Sequence, residues 1–273
     1  MTFHGFERQL QRGTGLYRRV DLAYPSNRLA LIVSIIAGAL IALITRDFLI
    51  AVSCGVTTFS TWALGRELDP DRPQTANLSA ITVGLIFSVF ALTGRLNLHD
   101  ALLGALVTGT LMVVARTMTR STGLGATVLD VFAVFTAALG VGLIDPKSGL
   151  ILVGIATVCI VMDRALEHYP YLANWQHFGF AFFAMTALLF LLNSGPWAML
   201  TGFVIIVGTL NIWLALKSIP RSSSDIGTKL EPSRITVANT LVFLAATCLA
   251  SQGVLVAVAG LLAVGFWRLW QRP

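Results

Sequence analysis

Leu29–Thr45 reads LALIVSIIAGALIALIT, and after Arg46-Asp47 the stretch Phe48–Leu64 reads FLIAVSCGVTTFSTWAL. Each run is apolar all round a helix rather than along one stripe, which suits a segment solvated by lipid. The same unit recurs outward along the chain: Leu78–Thr93 with Ala101–Ala115, Thr127–Ile144 with Gly149–Met162, Phe178–Leu192 with Trp197–Leu216, and Ile235–Ala250 with Val254–Trp267. The expected fold is an all-α integral membrane protein of about ten transmembrane helices in five hairpins. A basic arm, residues 1–28, precedes a polytopic transmembrane domain, residues 29–270. Several runs fall short of the roughly 20 residues that a helix needs to cross the hydrocarbon core. These either extend into their polar flanks or are interrupted or re-entrant. Barrel strands are excluded, because the runs lack alternation of lipid-facing and lumen-facing residues. A helix, by contrast, satisfies its own backbone amides in lipid. The composition agrees, with 56% hydrophobic and 12% charged residues and a mean hydropathy of +0.79. Soluble domains carry roughly a quarter charged residues.

Charge sets the expected orientation. Of the 19 Lys and Arg residues, only Arg46, Arg95 and Lys147 fall in turns within hairpins. The rest lie in the N-terminal arm, in the connections between hairpins, and at the C-terminal Arg268 and Arg272. Cations are retained on the cytoplasmic side, so both termini are expected there, in a multi-pass protein of a bacterial inner membrane. The net charge of +6 follows from this bias. The basic residues are dispersed over many loops, so the bilayer is the expected partner and nucleic acid is not. Arg8, Arg12, Arg18, Arg19 and Arg28 precede an apolar run that continues into a hairpin, so no signal cleavage is expected. The arm reads either as lying along anionic lipid or as a loose basic tail. Cys54, Cys159 and Cys248 sit inside apolar spans and are expected to pack as small hydrophobes. His99, His168 and His177 share no metal-ligand spacing. Tyr169, Tyr171, Trp175, Trp197, Trp267 and Trp270 suit an interfacial aromatic belt.

The polar connections carry the chemical information. Gly65–Asn77 reads GRELDPDRPQTAN, with Asp69 and Asp71 flanking Pro70 and with Arg66 and Arg72 beyond them. Paired acids at a membrane surface could hold Mg²⁺ against a lipid diphosphate. They could equally neutralise the arginines and fix the turn; no second acidic cluster is evident to complete a metal site. Leu68-Asp69-Pro70-Asp71-Arg72 with Ala76-Asn77 is echoed at equal spacing by Leu230-Glu231-Pro232-Ser233-Arg234 with Ala238-Asn239. This points either to a parallel internal repeat, a frequent origin of transport folds, or to shared capping chemistry. In each copy a Pro begins a helix and an acid sits near its positive end.

Ionisable groups within spans mark function in membranes. Asp130 lies one to two turns inside the fifth run and is the main ion or substrate candidate. It is expected to face the bundle, a water cavity or an arginine such as Arg116 or Arg120, or to keep contact with interfacial water. Asn211 and Asn239 are further candidates, or cross-links between helices. The cytoplasmic-loop candidates are Arg66, Asp69, Asp71, Arg72, Glu231 and Arg234.

Three stretches carry a family resemblance. They are Asn77–Leu85 (NLSAITVGL), Arg116 and Arg120 ahead of Gly123 and Gly125, and Ile219–Asp225 (IPRSSSD). They resemble the start of the third helix, the approach to the fifth, and the loop after the eighth in the D-type membrane component of the Rnf electron-transport complex. The B-type membrane component of the sodium-pumping NADH:quinone reductase has a similar plan. The resemblance implies five hairpins and a place in an electron-transfer complex. The family attaches flavin to Thr in a Ser-Gly-Ala-Thr type sequence, of which Gly125-Ala126-Thr127 is a fragment on the cytoplasmic side. Ala126-Thr127 stands near the family's Asn-Pro, and Ile219 replaces the Asp of its Asp-Pro motif. No covalent flavin and no other cofactor is therefore expected.

Three function classes follow. One is a membrane subunit or accessory factor of a transport or electron-transfer complex, docking other membrane subunits. The second is a solute channel or transporter. The third is an enzyme acting on a lipid diphosphate through Asp69 and Asp71.

Overall fold

A computed structural model describes residues 14–16, 20–168, 198–217, 220–225, 227–251 and 255–270. Among these residues the chain forms nine helices: α1 (Pro25–Thr45), α2 (Phe48–Leu68), α3 (Pro73–Leu92), α4 (Leu98–Thr119), α5 (Val128–Ile144), α6 (Pro146–His168), α7 (Ala198–Lys217), α8 (Pro232–Ser251) and α9 (Leu255–Trp270). Seven of them, all but α5 and α9, are long and apolar enough to cross a membrane. Their 20 to 23 residues span roughly 30 Å at 1.5 Å per residue, the thickness of the hydrocarbon core. The run Phe178–Leu192 lies outside the described residues, as do Tyr169, Tyr171, Trp175, His177 and Trp197.

Most of the helices are longer than the apolar runs that mark them, and proline explains much of the difference. Pro25 and Pro73 sit in the first turn of α1 and α3, and Pro146 and Pro232 open α6 and α8. A proline there lacks only an amide that would have had no helical partner. Thus α3 starts at Pro73 rather than Leu78, and α8 at Pro232 rather than Ile235. Side-chain caps fix other starts. Asp47 accepts from the Leu49 and Ile50 amides, and Asn97 accepts from the Asp100 amide. Such caps contribute about 1 kcal/mol each.

Small residues set the closest helix approaches, as expected where packing drives association in lipid. Gly38 of α1 meets Ala51 and Gly55 of α2. A Cβ on Gly65 would lie 2.9 Å from Ala76 Cα, so α2 and α3 cross almost backbone to backbone. Gly142 and Gly149 meet in the α5–α6 hairpin.

Burial runs opposite to apolarity. The central stretch of α8 is 83% buried and that of α2 67%, against 22% for α1, yet α8 and α2 are the least apolar of the seven long helices and α1 the most. Buried Thr57, Thr58 and Thr61 of α2, and Thr236, Thr240 and Thr247 of α8, each donate to the carbonyl four residues back. Ile32, Ile35, Ile36, Leu40 and Leu43 of α1 face outward instead. Lipid solvates such side chains as well as a protein core does, so polar groups take the interior. Helix α2 packs on α1, α3 and α4, and α8 packs on α7, α4, α6 and α9; α3 in turn lies on α9. Trp267 turns inward across that last contact and donates to Thr82 Oγ1 at 2.8 Å, whereas Trp270 is exposed.

Candidate functional site

The ends of α2, α4, α6, α8 and α9 meet in a buried network of ion pairs. Glu67, in the last turn of α2, is 1% exposed. Arg116 Nε of α4 donates to its Oε1 at 2.9 Å, and Thr119 Oγ1 donates to its Oε2 at 3.0 Å. Asp163 of α6 receives two guanidinium groups. Arg120 donates through Nε at 2.8 Å and Nη2 at 3.0 Å, and Arg234 of α8 donates through Nη1 at 2.6 Å. Arg120 also reaches Glu167, and Arg234 reaches Glu231 and the Met118 carbonyl. The third centre is Asp69, which ends α2 and lies 3.8 Å from Arg268 Nε of α9. Arg268 donates to Asn239 Oδ1, and Asn239 Nδ2 donates to the Leu68 carbonyl at 3.3 Å. Arg116 and Arg268 stand in the last turns of their helices, where the helix dipole favours a cation.

Beside this network the α2–α3 loop is stapled to the α7–α8 loop. The Asp71 carboxylate accepts from the Arg221 amide at 3.0 Å, the Ser222 amide at 2.7 Å and the Ser222 hydroxyl at 2.6 Å. Burial by itself would raise the pKa of Asp71. The hydrogen bonds from Ser222 and the Arg221 backbone, with the Arg221 charge, override that and hold it below the usual carboxylate value. Two clefts open on either side of this staple and share Pro70 and Ser222. One, of about 490 Å³, is lined by Asp69, Asp71, Arg72, Arg221 and Arg268 among others. The other, of about 240 Å³, is lined by Arg66, Glu67, Ser121, Ser222, Ser223 and Leu230 as well as Pro70.

Asp130 faces the bundle, 1% exposed, but without an arginine partner among the described residues. It is the third residue of a capping box with Thr127, accepting from the Thr127 amide at 2.8 Å. Neither Arg116 nor Arg120 reaches it; both are engaged by Glu67 and Asp163. It accepts from the N-terminal arm instead, through the Thr14 hydroxyl and, at 2.8 Å, the Gly15 amide. Thr122 Oγ1 donates to the Gly15 carbonyl at 2.7 Å, and Arg116 Nη1 to the Leu16 carbonyl at 3.1 Å. At residues 14–16 the arm is therefore seated in the bundle end. A Cβ on Gly15 would meet Asp130 Oδ2 and the Gly125 and Leu124 carbonyls, all at 3.2 Å, so the seat is shaped for glycine.

The two echoed loops differ in their contacts. Asp69 and Arg234 are buried, whereas Glu231 is exposed and Arg72 half-buried. Asn77 Oδ1 accepts from Ser26 and Trp62, while Asn239 joins Arg268 to α2. Asn211 Nδ2 cross-links α7 to the Gly265 carbonyl of α9 at 3.1 Å, and its Oδ1 has no partner among the described residues. Among the described residues no three His, Cys, Asp or Glu side chains gather as metal ligands. Sequence reasoning missed Glu67, Asp163 and Arg268. Each stands within one turn of the charged end of an apolar run, and that shared position was their one available signal.

No known family, curated protein or solved structure matches this chain.

The site must therefore be read from its own chemistry, and the arm gives a first test. Asp130→Asn retains the side-chain volume but removes the charge and one of the two acceptor oxygens that serve its three contacts. We expect a loss of about 1–3 kcal/mol and several-fold faster tryptic removal of the arm from the purified protein. Unchanged proteolysis would show that Asp130 does not hold it.

Proposed function

We propose that this integral membrane protein is of the transport type and that the charged end of its bundle is a gate on the cytoplasmic side. The observation that carries this reading is the set of buried pairs Glu67–Arg116, Arg120–Asp163–Arg234 and Asp69–Arg268, which fastens five helices at one end. Apolar packing would close that end at least as stably, because desolvating paired ions offsets most of their attraction. Pairs that separate and rehydrate suit an end that opens. A parallel repeat would support the reading. If α2–α4 and α7–α9 are equivalent units, α3 against α9 is the counterpart of α8 against α4, and both contacts are present. Buried hydroxyls along α2 and α8 supply polar groups beneath the gate. Catalysis on a lipid diphosphate is the weaker reading, because Asp71 is taken up by the α7–α8 loop and Asp69 faces Arg268.

A native cysteine reports on the gate. Cys159 is buried one turn from Asp163, with its thiol 3.5 Å from the Val114 carbonyl. Glu67→Gln combined with Arg116→Gln removes both charges of that pair at nearly constant polarity. In proteoliposomes this double variant should react at Cys159 with a membrane-impermeant thiol reagent at least tenfold faster than wild type. It should also leak small polar solutes. A folded double variant that is as tight and as unreactive as wild type would end the gate reading.

A further inference from the structure

We infer that residues 14–16 of the N-terminal arm form an inhibitory strap, which holds the charged end of the bundle closed while seated and frees it on leaving. Such a strap rests on the gate reading and gives the gate a regulator. It fastens three separate pieces of the bundle end. Asp130 of α5 accepts from the Thr14 hydroxyl and from the Gly15 amide at 2.8 Å. Thr122, in the α4–α5 connection, donates to the Gly15 carbonyl at 2.7 Å, and Arg116 of α4 donates to the Leu16 carbonyl at 3.1 Å. Arg116 is the joint between strap and gate. Its Nη1 serves Leu16 while its Nε serves Glu67 Oε1 of α2 at 2.9 Å, and both nitrogens belong to one rigid, planar guanidinium. Opening the charged end requires Arg116 to turn away from Glu67. That turn carries Nη1 off the Leu16 carbonyl too, so a seated strap opposes it.

The seat is shaped for this segment. Gly15 is buried, and of the three oxygens that a Cβ there would crowd, those of Leu124 and Gly125 belong to the backbone and cannot swing aside. A glycine therefore sets the register. Thr14 shapes the turn into the seat, since its hydroxyl also accepts from the Leu16 amide at 3.0 Å. The hold is releasable as well as specific. What residues 14–16 offer the seat is neutral: a hydroxyl, an amide and two carbonyls. Water replaces such groups at a small net cost, whereas stripping a buried ion of its charged partner is expensive. The strap therefore leaves more readily than the Glu67–Arg116 pair separates. Its departure opens the Arg116 side chain, 13% exposed under the strap, to water that solvates the guanidinium as it parts from Glu67.

The test uses the full chain in proteoliposomes, with Cys159 labelling and solute leak as readouts of the gate and tryptic removal of the arm as readout of the strap. Gly15→Ala should speed removal of the arm and raise labelling and leak about fivefold or more. Thr122→Val, which takes away one strap bond and adds no bulk, should shift all three the same way. Gly15→Ala added to Glu67→Gln and Arg116→Gln should open no further than that double variant, because the strap acts through the pair already removed. A general loosening of the fold would add to the double variant instead, and that result would overturn the inference. So would an arm that stays as protected in Gly15→Ala as in wild type. Wild-type labelling and leak in Gly15→Ala, with the arm released and the double variant open, would remove the strap and leave the gate standing. A double variant as closed as wild type would remove the gate and the strap with it.

Discussion

Asp163→Ala is expected to destabilise the detergent-solubilised protein by about 3–5 kcal/mol, the usual result of removing one partner from a buried ion pair. Two guanidinium groups converge on this carboxylate, and the Arg234 side chain is 5% exposed. Without Asp163, Arg234 keeps the Met118 carbonyl and the exposed Glu231, and among the described residues Arg120 keeps Glu167 as its acidic partner. The loss is thus mainly that of leaving cations in a desolvated place. Asp163→Asn should fall between wild type and Asp163→Ala, because the amide retains an acceptor without the charge. Combining Asp163→Ala with Arg234→Met should recover part of the loss, since the pair couples in a double-mutant cycle. Thermal or denaturant unfolding reads all four proteins. A change below about 1 kcal/mol for Asp163→Ala would mean that water reaches the arginines freely.

The second large effect is steric. In the α5–α6 hairpin a Cβ on Gly149 would run into the Cα and amide nitrogen of Gly142, backbone atoms that cannot swing aside. Gly149→Ala must therefore push α5 from α6, at about 1–3 kcal/mol or more by the measure of overpacked cores. Gly154 lies farther along the same helix with nothing within 4 Å of a Cβ built on it. Gly154→Ala should be neutral or stabilising by up to about 1 kcal/mol, the helix-propensity gain of alanine. Equal midpoints for the two variants would deny the close approach at Gly142.

The helices were legible because lipid demands continuous apolar runs, and no motif was needed to see them. Their ends were less so. Pro73 and Pro232 read as breaks in a pattern, yet each opens a helix, so the polar residues after them belong to the spans. The network was nearly hidden. Glu67 and Arg116, or Asp163 and Arg234, are separated by long stretches of chain, and no local periodicity pairs them. The apolar run ending at Met162 places Asp163 just outside the span, whereas the helix continues to His168. Asp130 illustrates the converse. A carboxylate near a helix start reads as a buried charge needing an ion, but three residues after Thr127 it completes a cap. The signal Thr-x-x-Asp was present in the sequence.

The central position of α8 also constrains how the protein is made. It is the least apolar of the long spans and carries Arg234, Asn239 and three buried threonines, so it gains little from lipid alone. Its partners on α2, α4 and α6 all leave the ribosome before it. Asp163 and Arg120 can find each other early, but Arg234 arrives only when α8 does. Until then the earlier helices surround an unfilled place whose walls carry hydroxyls and half-matched ions. At that stage these groups lack the partners that α8 supplies in the finished bundle. Insertion of α8 brings Arg234 to Asp163, and α9 then completes the end by bringing Arg268 to Asp69 and Asn239.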